Sequence, residues 1–369
     1  MASEVYQPFT PDPQWIRQNQ YQYLRFQVDG VDYYDVIQTL ARIARWEDWC
    51  REWSATARYH EDRGQEALRK GNTVTAGDAF LRASMCYHFG QIFFFNDLEQ
   101  KAAAQAKKVE TYQKGMAYFS PPAERVEVPF RSIRLPGCLR LAPGVERGPC
   151  LIFAGGLDST KEDAHFFENL CLRRGVSTLS FDGPGQGETW ARCKMGEGFE
   201  EAVSAVVDYL QGRPAVDPSR IGFIGRSMGG YYAPRAAARD RRLKACVCWG
   251  AVYDVSHWEK TEKQARAGAL GPQIFCASFQ HVYGARDLKE AAEIARSLSL
   301  EGVMKNVKCS LFVVHGKLDH VIPYSQAERM AREAAGPVDL DIGEDCIHCC
   351  HNRHYRCQPM MADWVAKTL

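Results

Sequence analysis

The sequence predicts an α/β fold, a mostly parallel sheet with helices on both faces, preceded by an all-helical domain. Three observations predict it. From about residue 124 to the C-terminus, short apolar segments alternate with helix-length amphipathic ones, the pattern of parallel strands joined by helical crossovers. One strand-to-helix junction reads Gly225-Arg226-Ser227-Met228-Gly229, a G-x-S-x-G turn. Residues from about 12 to 118, by contrast, keep helical spacing without strand alternation.

In the N-terminal part, Ile37, Leu40, Ile43 and Ala44 fall at intervals of three and four, and Trp49 and Trp53 four apart, an amphipathic stripe. Lys70-Gly71-Asn72 is a stop signal. Further helices are expected over 76–96 and 98–118. The aromatic cluster Tyr87, Phe89, Phe93, Phe94 and Phe95 reads as core. So do most of Trp46, Trp49, Phe93 and Tyr112, although they would also suit a pocket for a flat ligand. Ser120-Pro121-Pro122 breaks the last helix, which divides the chain into a helical domain, 1–122, and an α/β domain, 123–369.

Strands are expected in the second domain over 125–130, 132–135, 138–141, 150–154, 176–181, 220–225, 243–249, 309–314 and 338–342. Helices fall between them up to a last one over 355–367. The stretch 252–305 reads as polar and helical.

The spelling of the serine turn has a physical reason. A serine on so sharp a turn takes strained backbone angles, and its neighbours two residues away must be small for the turn to close. Gly225 and Gly229 meet that need. The hydroxyl is thereby pushed above the sheet, with a helix N-terminus aimed at any anion formed there. A glycine-rich turn can also be purely structural; the strand before it and the helix after it supply the context the nucleophilic reading requires.

On such a fold the partners of the serine follow in the order acid, then histidine. Asp319 sits just past the strand 309–314, in His315-Gly316-Lys317-Leu318-Asp319, at the sheet end where ligands gather. Its alternative role is a turn or helix cap. Asp339, Asp341 and Asp345 are rivals, the first two inside an expected strand. For the base, the stretch Cys346-Ile347-His348-Cys349-Cys350-His351-Asn352-Arg353-His354 offers His348, His351 and His354. Cys346 and Cys349 form C-x-x-C, with His351, His354 and Cys357 following, a density of ligands that would suit zinc. The ligands crowd one short stretch without a second, separated pair, so no metal is expected.

Two backbone N–H donors are needed for an oxyanion. Met228, after the serine, should give one, and Gly156 or Leu157, after the strand 150–154, the other. Asp158 in the same loop is a candidate for substrate contact. The loop Gly183-Pro184-Gly185-Gln186-Gly187 lacks the G-x-G-x-x-G spacing of a dinucleotide site. It reads as a tight turn shaping a pocket wall, and no cofactor is expected.

The 369 residues carry a net charge of +1, with 25% charged and 46% hydrophobic. That balance gives no electrostatic case for nucleic acid or an anionic membrane. No apolar run approaches the ~20 residues of a membrane span. Met1–Pro8 has no basic or apolar signal region, and Ala366-Lys367-Thr368-Leu369 is a poor peroxisomal address. A cytoplasmic protein with 14 reduced cysteines is expected. Cys246, Cys248 and Cys309 sit in apolar runs as small hydrophobes.

Five segments taken together carry a resemblance: 155–162, 181–188, 225–230, His315-Gly316 with Asp319, and His348-Cys349-Cys350-His351-Asn352. They resemble α/β-hydrolases of the 2,6-dihydroxypseudooxynicotine hydrolase type, and are similar to fungal hydrolases that shorten or cyclise polyketides. The resemblance covers nearly the whole chain. It implies an α/β-hydrolase fold whose N-terminal helical domain is a cap, and a Ser227–Asp319–His348 triad, His348 being the first histidine of H-x-x-H-N. It also implies a substrate-binding carboxylate, best matched by Glu259 in His257-Trp258-Glu259. The implied activity is cofactor-free cleavage of a carbon–carbon bond beside a ketone, in a homodimer, on a ketone or polyketide-like small molecule of secondary metabolism or aromatic catabolism. The same machinery would serve a carboxylesterase, or an acyltransferase or cyclase that excludes water. A non-catalytic binding protein of the same fold is the alternative of another class, and the intact triad residues argue against it.

Overall fold

The structure, a computed structural model, describes residues 23–369 apart from Glu197. The helical start expected near residue 12 and the N-terminal segment read for a signal lie outside these residues. By their contacts the residues divide into two compact units: those up to Glu124 together with Gln264–Ser278, and Arg125–Lys263 with Phe279–Leu369. The sequence reading placed 264–278 in the α/β domain; its contacts are with the helical unit.

The helical unit contains α1 (Leu24–Val28), α2 (Tyr33–Arg42), α3 (Trp49–Arg69), α4 (Thr73–Ile92) and α5 (Leu98–Met116). Two of the starts are capped by aspartates: Asp32 accepts from the Tyr34 N–H, and Asp97 from those of Glu99 and Gln100. The interior is aromatic. Phe26 stacks on Phe89 at 3.8 Å between centroids and meets Trp53 edge-on at 5.3 Å. The Trp49 indole N–H donates to the Phe89 carbonyl at 3.0 Å. Trp46, Trp49 and Tyr112 are buried and Phe93 is half-buried, as residues of this interior.

The second unit is built on eight strands: β1 (Glu124–Phe130), β2 (Ile133–Arg140), β3 (Gly148–Ala154), β4 (Ser177–Phe181), β5 (Val216–Arg226), β6 (Leu243–Trp249), β7 (Ser310–Gly316) and β8 (Val338–Gly343). They form one sheet in the order β1-β2-β4-β3-β5-β6-β7-β8. β2 runs antiparallel to β4, with Leu139 opposite Leu179. From β4 to β8 every pairing is parallel, Ile152 lying opposite both Leu179 and Phe223. Every residue of β3 and β4 is buried, as strands covered on both faces require. The edge strand β8 is mostly open and carries Asp339 and Asp341.

The helices of this unit include α6 (His165–Leu172), α7 (Phe199–Gln211) and α8 (Gly229–Arg239). The polar stretch after β6 resolves into α9 (Trp258–Arg266), α10 (Leu270–Tyr283) and α11 (Leu288–Ser297); α12 (Ser325–Glu333) and α13 (His354–Thr368) complete the chain.

One difference from the sequence reading lies in β2. The two short strands expected at 132–135 and 138–141 are a single strand through Pro136-Gly137. Pro136 offers its carbonyl to the Asp182 N–H at 2.9 Å. A Cβ on Gly137 would lie 3.0 Å from both the Ser180 carbonyl and Val126, so glycine here permits close strand packing and does not end the strand.

β3 is followed in sequence by its neighbour on one side, β4, and β5 by its neighbour on the other, β6. The chain therefore leaves the carboxyl ends of β3 and β5 in opposite directions. That divergence opens a crevice between two adjacent strand ends, and the loops at its rim carry Gly156 and Ser227. Among the described residues no helix is long and apolar enough to cross a membrane.

Candidate active site

Ser227 occupies the turn between β5 and α8 with φ +55, one of four non-glycine residues at positive φ among those described. Its N–H donates to the Trp249 carbonyl on β6 at 2.8 Å, which holds the turn against the sheet. The two glycines are there for space. A Cβ on Gly225 would collide with the Gly229 carbonyl, and one on Gly229 would lie 2.6 Å from the Ala154 carbonyl. The helix begins at Gly229, so its N-terminus abuts the serine. Arg226, beside it, is buried and paired with Asp163 at 2.7 Å.

The serine hydroxyl faces an imidazole. His348 Nε2 is 2.9 Å from Ser227 Oγ, across 121 residues of sequence. His348 Nδ1 is 2.7 Å from Asp319 Oδ2. With Asp319 ionised, Nδ1 carries the proton and Nε2 presents its lone pair to the serine. The other Asp319 oxygen accepts from the N–H groups of Val321 at 2.8 Å and Ile322 at 2.9 Å. His315 Nε2 lies 3.4 Å from Asp319 and 3.0 Å from the Ile322 carbonyl.

Burial works against ionising Asp319, but His348, His315 and the Ile322 N–H outweigh it and hold the carboxyl below its ordinary value. For His348, burial opposes the charged ring, yet the Asp319 carboxylate and Cys349 outweigh it and hold the ring well above its ordinary value. The loop bearing His348 is pinned from β6, where the Trp249 indole N–H donates to the Cys349 carbonyl at 2.6 Å.

The rival residues have other partners. Asp341 binds Arg356, Asp345 binds Arg353, and Asp339 accepts from the Trp364 indole. The His354 ring contacts the His351 carbonyl at 3.3 Å, and the His351 ring stands edge-on to His348 at 6.4 Å. Met228 directly precedes α8. Gly156 packs on the serine itself: a Cβ there would lie 2.9 Å from Ser227 Cβ and 3.2 Å from its Oγ. Leu157 is next in that loop, and Asp158 is half-buried. Glu259 is exposed in the first turn of α9.

A family described as FrsA-like esterases matches residues 19–369. The chain belongs to this family. It is 34% identical to the 2,6-dihydropseudooxynicotine hydrolase of Paenarthrobacter nicotinovorans over 94% of this chain and 91% of that protein. It is 30% identical to the hydrolase acrC of Aspergillus aculeatus, over 80% and 79% of the two chains. The crystal structure of 2,6-dihydroxy-pseudo-oxynicotine hydrolase superimposes with a TM-score of 0.84, covering 94% of this chain and 95% of that one. A structure described as AbyA5, at 19% identity and a TM-score of 0.74, shares the fold. The chain is an α/β-fold hydrolase.

Three features of this FrsA-like site were missed in sequence. The first is Gln186, whose loop was read only as a pocket wall. Its side-chain N–H groups donate to the carbonyls of Gly155 at 2.9 Å and Gly156 at 2.8 Å. A trans peptide points its N–H opposite to its C=O, so Gln186 sets the direction of the Gly156 and Leu157 N–H groups. Gln186→Leu is expected to lower kcat about 100-fold with little change in KM, as small displacements of reacting groups do; steady-state kinetics checks it.

The second is a buried ionic cluster joining the same two loops. Lys161 Nζ lies 2.9 Å from Asp182, 2.7 Å from Glu162 and 2.6 Å from Glu188, and Arg125 grips Glu188 with two bonds of 3.0 Å. Removing the lysine would leave buried carboxylates uncompensated. Lys161→Met is expected to destabilise the fold by about 3–5 kcal/mol, measured by denaturant unfolding. Unchanged stability would mean the cluster is neutralised without Lys161.

The third is His257, two residues before Glu259. Burial holds its ring below the ordinary value; Asp254 and Asp319 act the other way, and His348 is close enough to add to the lowering. It stands in the His257-Trp258-Glu259 stretch, where the resemblance implies a carboxylate at Glu259 and says nothing of the imidazole.

Proposed function

We propose that the chain is a serine hydrolase in which Ser227 is the nucleophile, His348 the general base and Asp319 the group that orients and charges-balances the imidazole. The single observation that supports this most is the continuous relay from Ser227 Oγ through both nitrogens of His348 to Asp319. In this reading His348 takes the Ser227 proton as Oγ attacks a carbonyl. The N–H groups of Met228 and of Gly156 or Leu157 receive the oxyanion, each donor contributing about 3 kcal/mol. His348 then gives its proton to the leaving group. Water, deprotonated by the same imidazole, releases the acyl group from the serine.

The resemblance carried by the five segments supports a ketone whose carbon–carbon bond is cleaved in retro-Claisen fashion. The substrate must then hold the departing electron pair itself, as an enolate stabilised by a second carbonyl or a phenol. The Paenarthrobacter relative, a 2,6-dihydropseudooxynicotine hydrolase, is compatible with this class. The esterase description of the family favours a second reading, an ester substrate with an alkoxide leaving group. Incubation with a 1,3-diketone and with a p-nitrophenyl ester of matched size separates them. Diketone cleavage into a carboxylic acid and a ketone is the expected result; turnover of the ester alone overturns the carbon–carbon reading and leaves the esterase.

A further inference from the structure

Three cysteines around the His348 loop have no part in the chemistry above. Cys346 precedes His348 by two residues, Cys350 follows it by two, and Cys357 lies in the first turn of α13. All three are buried, and their sulfur atoms lie within 4.8 Å of one another. We propose that Cys346, Cys350 and Cys357 form a binding site for one thiophilic divalent cation of the Zn²⁺ class.

The donor set selects the cation. Three sulfurs, without an imidazole or carboxylate among them, disfavour Mg²⁺ and Ca²⁺, which take oxygen ligands, and suit a soft d¹⁰ ion. Around a tetrahedral zinc with Zn–S of about 2.3 Å, sulfurs stand about 3.8 Å apart. The cluster therefore needs to contract by no more than about 1 Å to close on the ion.

Charge also fits. Binding exchanges three thiol protons for the cation, M²⁺ + 3 RSH → M(SR)₃⁻ + 3 H⁺. The site is embedded in the apolar cluster of Phe153, Phe167, Trp249 and Met361, where a lone negative charge is costly. The Arg356 guanidinium lies 3.7 Å from Cys357 Sγ and is shared between that sulfur and Asp341, which it binds at 2.8 Å. The Asp345 carboxylate, paired with Arg353, lies 3.9 Å from Cys346 Sγ.

This set differs from the C-x-x-C reading of the sequence. Cys349 turns the other way, its sulfur toward the Trp249 carbonyl. Positive φ at Cys349 (+52) and Cys350 (+54) produces that exchange, carrying Cys350 back toward Cys346. A bound ion would thus tie both flanks of the His348 loop to α13.

The test uses the full chain, reduced and stripped with a chelator, titrated with Cd²⁺ as a spectroscopically visible stand-in and then with Zn²⁺. Expected are a thiolate-to-metal charge-transfer band that saturates at one equivalent, and an unfolding equilibrium constant lowered about 100-fold at free metal near 100 times Kd. Cys350→Ser should abolish both, and Cys276→Ser, remote in sequence, should keep both. If Cys350→Ser does not fold, alkylation of the native wild type read by mass spectrometry replaces it: metal should protect Cys346, Cys350 and Cys357. Absence of the band, its survival in Cys350→Ser, or protection mapping to other cysteines overturns the proposal.

Discussion

Ser227→Ala is expected to fold like the wild type and to lose kcat/KM by about 10⁴–10⁶-fold. The change removes a hydroxyl and nothing that the turn depends on. The backbone at 227 is already held at φ +55, and alanine bears the same Cβ there as serine. The Ser227 N–H bond to Trp249 belongs to the backbone and survives. The residual rate should come from the oxyanion donors and from substrate binding, which need no nucleophile on the enzyme. Thermal unfolding checks the fold, steady-state kinetics the rate, and a fluorophosphonate probe should label the wild type alone. A variant keeping more than about a tenth of the rate would contradict any role for Ser227 as the attacking group.

Asp319→Asn is expected to lower kcat about 10⁴-fold and to move the pH profile. The amide can donate to Nδ1, which would put the imidazole proton on Nε2, facing the serine; a base in that tautomer cannot accept the Ser227 proton. The pH effect has a definite sign. On the proposed mechanism His348 would act as a base only when neutral, so activity should rise as pH climbs through its pKa. Against burial, Asp319 and Cys349 hold that value well above the ordinary 6.5, so the acid limb of the wild-type kcat/KM profile is expected above pH 6.5. Without the carboxylate charge, less opposes the burial that disfavours a charged ring, and the limb should shift to lower pH. A limb unmoved in Asp319→Asn would show that another group titrates there. Because kcat/KM reports the free enzyme, the comparison needs substrate well below KM.

Much of the fold was legible because its signals are local. Buried strands such as β3 and β4 need apolar runs, and crossover helices need amphipathic ones, so alternation along the chain announces the sheet. β2 was divided in the sequence reading because Pro136-Gly137 looks like a turn locally. Only the neighbours Ser180 and Val126, which crowd Gly137, show why the strand passes through it. The segment 264–278 carries no local mark of its allegiance to the helical unit; contacts between residues distant in sequence decide it.

At the candidate site the division is similar. By itself the sequence determined the serine turn, since backbone sterics within five residues demand Gly225 and Gly229 around Ser227. It also offered a serine, an acid and a histidine in that order, which fall after β5, β7 and β8. Tertiary structure decided which atoms meet. Asp319 and His348 are joined across 29 residues, and His348 and Ser227 across 121; His351 and His354 are left to one side because the chain reverses through two left-handed residues after His348. The same reversal sends Cys350, not Cys349, toward Cys346 and Cys357. Gln186 is the plainest case. Nothing near it in sequence names the carbonyls of Gly155 and Gly156, some thirty residues earlier, because a hydrogen bond between two loops exists only once the parallel strands β3 and β4 have brought their ends side by side.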